Sequence, residues 1–591
     1  MASDSPPTWD LSDLYGAVDD PRIEETLVGQ LRRADVFARR YRGRINLPDV
    51  TADALWGAIV EYETILQELD KPLTYASLLF AADTSDPVRG AFLQSMRERH
   101  SEITIRMMFF ELELTQIPED QMAGLVSNDV LDEYRHYIWA ERLFRQHRLT
   151  EPEERILEEK ANTGRRAFTR LFEQTTSNIA FDVDGGTRTL PEILALIRDP
   201  DRELRRAAAE SLTSGLRDNS ATLTYIFNTL IQDKATDDRL RSYRSPEQAR
   251  HLSNELESDT VELVVETAVA NYPLVGRYYG LKREILGLDK LMHYDRYAPL
   301  FQTRECVPFA RAREIVLSSF DRFSPMIGGA AKEFFDRNWI DAEPRKGKRG
   351  GAFCSYVTPD LHPYVFVNYL DRMDDVMTLG HELGHGVHSS LAGSQSYFNF
   401  ASVLPVAELA STFGEMLVFE TLQSQAVLDD KLALYAEKIE GAFATIFRQA
   451  AMYRFEQAIH AERRERGELT AERYGELWQH FQREMFGDSV ELGDEHGLWW
   501  MYVPHFINSP FYVYAYTFGE LLVMSLYAMY KREGEVFVSK YTELLKAGGS
   551  MTPADMLSRV GIDIGDRAFW QAGVDVLAGL VDDFERLWRN K

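Results

Sequence analysis

The chain has 591 residues, 45% hydrophobic, 27% charged and 12% aromatic; this is the composition of a globular protein, and the length calls for several domain-sized units. The 66 basic and 93 acidic residues leave a formal charge of −27, which weighs against nucleic acid as a partner, because phosphates need a basic surface. Two cysteines, Cys306 and Cys354, cannot build a disulfide framework at this size and form no C-x-x-C pair.

The opening "MASDSPPTWDLSDLYGAVDD" has acidic residues where a secretory leader needs basic and then apolar ones. No run of about 18 apolar residues could span a membrane. A reduced, soluble, cytoplasmic protein with no membrane partner is therefore expected. Helical periodicity fills 51–145, 203–235, 311–337, 430–465 and 515–546. In "TEPEERILEEKANTGRRAFTRLFEQ", Thr150 and Glu153 form a capping box, and Ile156, Leu157, Ala161, Phe168, Leu171 and Phe172 recur near helical spacing. The expected fold class is mainly α, and without a fixed-period repeat it is not a solenoid.

Two stretches break the helical pattern. "NIAFDVDGGTRTL" (178–190) alternates around Asp184-Gly185-Gly186, which is hairpin chemistry. It sets a soft boundary at about 176–200, between an N-terminal helical lobe, 1–200, and a larger lobe, 201–591. In "KGKRGGAFCSYVTPDLHPYVFVNYL" (346–370), strand-like runs at 352–357 and 364–370 flank a turn. The basic "PRKGKRGG" before them lacks the Lys-Ser or Lys-Thr of a phosphate loop opening a helix, so it reads as a flexible loop over a site.

The next segment, "TLGHELGHGVHSSLAG" (378–393), holds three of the 13 histidines. Residues i and i+4 share a helix face, so His381 and His385 can point two imidazoles at one ion. Glu382, about 100° further round, can lie beside the ion and hold a water without being a ligand. This H-E-x-x-H spacing marks zinc hydrolases, where the metal acidifies water and the glutamate takes its proton. Catalytic zinc usually takes three protein ligands. A metzincin's third histidine would fall at Leu391, so a glutamate on a following helix is the remaining common solution. In "PVAELASTFGEMLVFE", Pro405 marks a helix start, Glu408 lies on its first turn, and Ser411 and Glu415 follow at i+3 and i+7. Gly384 and Gly386 each cost a helix roughly 1 kcal/mol relative to alanine, which makes sense where another backbone or a substrate comes close. His388 continues the stripe and reads as a supporting or core residue.

With "HELGHGVH" followed by "AELASTFGE", the segment resembles the thimet oligopeptidase and oligoendopeptidase F family of zinc endopeptidases. The likeness to the oligoendopeptidase F branch extends to "WDLSDLY", "GAFCSY", "VFVNYLDRMDDVMTLGHELGH" and "VPHFINSPFYVYAYTFGELL". The resemblance implies a two-lobed helical ellipsoid with a deep central channel for short unstructured peptides and a small β element beside the metal. It implies one zinc per chain on His381, His385 and Glu408, with Glu382 as general base. On the helix face itself, Glu415 competes with Glu408 as third ligand, and Ser411 or Glu415 could orient a ligand. The strand at Gly351, Ala352 and Phe353 would pair with the substrate backbone. The family's histidine and tyrosine substrate contacts map onto His505 and Tyr516, either of which could meet the oxyanion. Tyr512 and Tyr514 alternate with Tyr516, so an extended segment would put all three on one face, as substrate contacts or as aromatic core.

Two other readings remain open. A zinc carboxypeptidase would need a cation for the substrate's terminal carboxylate, and Arg345, Lys346 or Arg349 could supply it. A non-catalytic peptide-binding protein would have no need of Glu382.

Overall fold

Helices carry most of the chain and are accompanied by two small sheets. The structure, a computed structural model, describes residues 6–301 and 306–591; the first five residues of the acidic opening lie outside the described residues. Backbone packing divides the chain into two units of three segments each. The first comprises Met1–Arg145, Arg304–Gln425 and Met529–Asp563, and the second Gln146–Thr303, Ala426–Ala528 and Ile564–Lys591. This partition interleaves, unlike the continuous 1–200 and 201–591 lobes expected from sequence. Helical periodicity reports which face of a helix is apolar and not which distant segment covers it.

In the first unit, helices α1 (Pro21–Tyr41), α2 (Ala52–Ala82) and α3 (Pro87–Met107) pack together. Each starts on a side chain that accepts helix N–H groups, Asp20, Thr51 and Asp86 respectively. Phe37 sits at the centre, its ring 4.9–5.9 Å from those of Tyr41, Tyr62, Phe109 and Phe110. Helices α4 (Phe309–Phe323) and α5 (Pro325–Asp336) lead to a sheet of β1 (Ile340–Asp341), β2 (Phe353–Ser355) and β3 (Tyr364–Phe366). Strand β3 is central, parallel to β1 and antiparallel to β2, with Cys354 opposite Val365. Strand β2 is thus an edge. Helices α6 (Met373–Ala392), α7 (Leu409–Gln425) and α8 (Glu535–Ala547) complete the unit's core.

The second unit holds the expected hairpin. Phe181–Val183 pairs with Gly186–Arg188, and Asp184 and Gly185 sit at φ 51° and 73°, the left-handed turn that the Asp-Gly pair favours. The Thr150–Glu153 capping box is present, but its helix ends at Ala161 and a new one starts at Arg165. The interior is aromatic, with Trp499, Trp500, Trp570 and Tyr474 fully buried. Among the described residues, no helix is long and apolar enough to cross a membrane.

Candidate metal centre and active site

The helix that carries the histidines is fixed by its N-terminal cap and by its crossing with the next long helix. Asp375 accepts the N–H groups of Leu370 (2.8 Å) and Arg372 (3.0 Å) and so closes the first turn of α6. Further along, α6 and α7 cross with their backbones in contact. A Cβ at Gly384 would lie 2.3 Å from the carbonyl oxygen of Ala410 and 2.6 Å from Ser411 Cα. The glycine between the two histidines is what lets the neighbouring helix bring its carboxylates close.

Three donor groups converge at this crossing. Glu408 Oε2 lies 3.3 Å from His381 Nε2 and 3.2 Å from His385 Nε2, and one donor atom from each residue lies within 4.8 Å of the other two. Glu408 sits at the break between the short turn Leu404–Ala407 and α7, so Pro405 starts a separate turn and not the long helix. Ser411 Oγ donates to Glu408 Oε2 at 2.6 Å. Glu415 faces the other nitrogen of His381, with Nδ1 to Oε2 at 3.4 Å. Such a carboxylate fixes the tautomer and leaves the Nε2 lone pair directed at the centre.

The electrostatics call for a cation. Burial disfavours charge on His381, yet hydrogen bonding and charge from Glu408 and Glu415 outweigh it and raise its pKa to about 10. Burial would likewise raise Glu408, but the two imidazoles hold it well below the usual carboxylate range. Two imidazoles and a carboxylate, half-buried and converging, fit a divalent ion of zinc's type.

Glu382 is 7% exposed and lies outside the donor set; burial first, and then Glu408, pushes its pKa up against the pull of the two histidines. His388 is also outside the set. It is buried, its Nδ1 has no hydrogen-bond partner among the described residues, and burial lowers its pKa to about 4.

Gly351, Ala352 and Phe353 lead into the edge strand β2, and Asn368 donates to the Gly351 carbonyl at 2.9 Å. The preceding basic loop is pinned down, contrary to the flexible reading. Arg345 makes a bidentate pair with Asp341 (2.7 and 2.7 Å), and the Lys348 ammonium lies 2.6 Å from the same carboxylate. Thr84 donates its N–H to the Gly347 carbonyl at 2.7 Å.

In the second unit, His505, Tyr512 and Tyr516 form one cluster. His505 Nε2 is 3.4 Å from the Tyr516 hydroxyl, and the Tyr512 and Tyr516 rings are 4.9 Å apart. Tyr514 does not join them. It is 1% exposed, and its hydroxyl meets Asn254 Nδ2 (2.8 Å) and His251 Nδ1 (3.1 Å) in the core. The cause is a helix, Tyr514–Glu533, where the alternation of tyrosines suggests an extended segment. Tyr512 lies just before this helix and Tyr516 in its first turn, while Tyr514, which opens it, turns into the core.

Ahead of this helix, Phe511 has φ +58°, a strained value for a bulky residue. Its N–H donates at 2.8 Å to Glu456, a fully buried carboxylate whose pKa burial raises to about 8. Sequence reasoning passes over Glu456. The available signal is an acid on the apolar stripe of Met452, Phe455 and Ile459.

A helical fold with an H-E-x-x-H helix crossed by a carboxylate-bearing helix defines a metallopeptidase class. Residues 195–576 match Peptidase family M3 and residues 113–181 match Oligopeptidase F. The chain belongs to peptidase family M3 and is a metallo-oligopeptidase. It is 27% identical to Oligopeptidase PepF of Bacillus subtilis (strain 168), over 98% of this chain and 87% of the relative. It is also 27% identical to Group B oligopeptidase PepB of Streptococcus agalactiae serotype III, over 98% and 96%. The solved oligoendopeptidase F of Enterococcus faecium superposes with TM-score 0.71 at 22% identity, covering 97% of this chain and 100% of that one. A Chlamydophila abortus peptidase structure gives TM-score 0.87 at 24% identity, over 98% of both chains.

Proposed function

We propose that the protein is a zinc-dependent endopeptidase that hydrolyses internal bonds of short, unstructured peptides. The observation that carries this reading is Glu382, a buried carboxylate beside three converging donors and not one of them. His381, His385 and Glu408 would hold the zinc, which when bound supplies Lewis acidity towards the scissile carbonyl and its water. Glu415 and Ser411 hold His381 and Glu408 in orientation.

Glu382 receives a proton as water adds to the peptide carbonyl and returns it to the departing amine. The free edge of β2 offers backbone N–H and C=O groups that an extended peptide can pair with. By resemblance, Tyr516 or His505 donates a hydrogen bond to the developing oxyanion. Two free thiols, one of them exposed, accord with a reducing, cytoplasmic setting.

Of the cations a carboxypeptidase would need, Arg345 is taken up by Asp341, and peptides blocked at the C-terminus separate the two activities. Chelation should abolish activity and added zinc restore it. Glu382→Gln should keep the zinc and the fold while turnover falls beyond the roughly 10²–10⁴ of a simple acid–base group, because the same side chain acts twice. Full activity in protein shown to be metal-free would end this reading, and loss of zinc from Glu382→Gln would make Glu382 a ligand.

A further inference from the structure

Among its described residues, the second unit contains positive charge that no carboxylate neutralises. Arg296 donates to the Tyr297 hydroxyl at 2.6 Å, and Arg448 approaches the same oxygen at 3.4 Å. The guanidiniums of Arg296 and Arg198 lie 4.4 and 5.6 Å from the Tyr297 ring centroid. The three guanidiniums outweigh burial and hold the Tyr297 phenol below its ordinary range.

Among the described residues none of the three arginines has a carboxylate within ion-pair distance, although the chain carries 93 acidic side chains. The neighbouring acids are committed elsewhere. Asp295 pairs with Arg202 (2.8 Å) and Arg205 (3.0 Å), and Glu440 accepts from Lys282 (2.6 Å) and Tyr278 (2.7 Å). Arg296 is only 5% exposed, and the Nε groups of Arg296 and Arg448 are buried with no acceptor. Holding a nearly buried guanidinium beside two others is costly unless an anion completes the site.

We infer that Arg198, Arg296 and Arg448, with the Tyr297 hydroxyl, form a carboxylate-binding site that takes a carboxylate of the peptide substrate. The inference rests on the peptidase reading for the identity of the ligand. Guanidinium forks match a carboxylate bidentately, and every unblocked peptide carries one at its C-terminus. The cluster is electrically linked to the tyrosine–histidine group of the same unit. After burial, the charge of Arg448 is what lowers the pKa of His505.

The test uses one fluorogenic peptide sequence in three forms: free C-terminal acid, C-terminal amide, and amide with glutamate as its last residue. On the zinc-loaded enzyme, amidation should raise KM about tenfold or more, the loss of charge-assisted hydrogen bonds, with little change in kcat. In Arg198→Gln and Arg448→Gln the amide-to-acid ratio of KM should fall towards one. Arg198 is exposed, so its replacement leaves the packing intact even if the Arg448 variant is unstable. Rescue by the terminal glutamate would show that the site also accepts a side-chain carboxylate; no rescue restricts it to the terminus.

Equal KM for acid and amide in the parent enzyme, or a ratio unchanged in the Arg198 variant, would overturn the inference. Binding of labelled acid and amide peptides to Glu382→Gln, read by fluorescence anisotropy, needs no turnover. If none of the peptides is cut but the acid binds tighter than the amide, the peptidase reading fails and this site stands.

Discussion

The α6–α7 crossing and the 505–516 segment are held in place by different forces. At the crossing, geometry is set by contact between backbones, with Gly384 against Ala410 and Ser411, and the side chains follow from it. Around residues 505–516, a strained Phe511 is held by one hydrogen bond to a buried acid, Glu456. Steric fit responds little to pH or salt. A buried ionisable clamp responds to pH by its nature. The first arrangement suits donors that must stay fixed around an ion, and the second leaves the segment adjustable.

The largest expected effect belongs to the crossing. Glu408→Ala should lose the metal and with it essentially all activity, whereas Glu415→Ala should keep the metal at reduced affinity, about 10–100-fold weaker, as for a group that orients a ligand. Metal analysis of the purified variants checks both. Zinc retained in the first and lost in the second would exchange their roles.

Gly384→Ala sharpens the same point. The helix propensity of alanine favours the variant by about 1 kcal/mol. A methyl group 2.3 Å from a backbone oxygen cannot be accommodated without shifting α7. Overpacking of that kind costs about 3 kcal/mol or more and should win, so Tm should fall and metal affinity with it. A variant as stable as the parent would mean that the helices slide freely.

Tyr516→Phe probes the other region. If its hydroxyl meets the oxyanion, kcat should fall about 10²–10³, or roughly 3–4 kcal/mol, with KM nearly unchanged. A raised KM alone would make Tyr516 a ground-state contact, and normal kinetics would move the role to His505 or Tyr512.

The smallest effect is on stability. With its folded pKa at about 8, above the ordinary carboxylate value of 4.5, Glu456 keeps its proton in the native state while the unfolded chain has lost it. The native state then binds more protons between about pH 4.5 and 8, so stability falls as pH rises through that window, on the order of a few kcal/mol. Glu456→Gln, neutral throughout, should flatten this part of the Tm–pH curve. Parallel curves for the two proteins would show that Glu456 is ionised in the fold.

What the sequence reveals divides along the same line. The histidine pair is a local property, four residues apart on one helix. The Asp-Gly hairpin and the Thr150–Glu153 cap are equally local, and the structure has both. Glu408, Ser411 and Glu415 could be named as candidates, but only the crossing shows which carboxylate faces both imidazoles and which faces Nδ1. The fate of Tyr514 was beyond reach of its spacing, because the bend that starts its helix is held by a carboxylate 55 residues earlier. Pairing of Arg345 and Lys348 with Asp341, four and seven residues earlier, is local as well, and the reading of that loop as flexible passes over it.

The interleaving of the two units bears on how the chain matures as it is made. Six segments alternate, so synthesis passes from one unit to the other five times, and neither is finished until its last segment emerges. Helix α7, which follows Glu408, closes against Tyr541: the rings of Phe413 and Tyr541 are 4.5 Å apart, and the Tyr541 hydroxyl donates to the Leu409 carbonyl, 132 residues away in sequence. A nascent chain ending at residue 425 would hold every donor of the metal centre and still lack the wall that steadies it. For a site that binds zinc as proposed, firm capture would then wait for the 529–563 segment, late in the making of the chain.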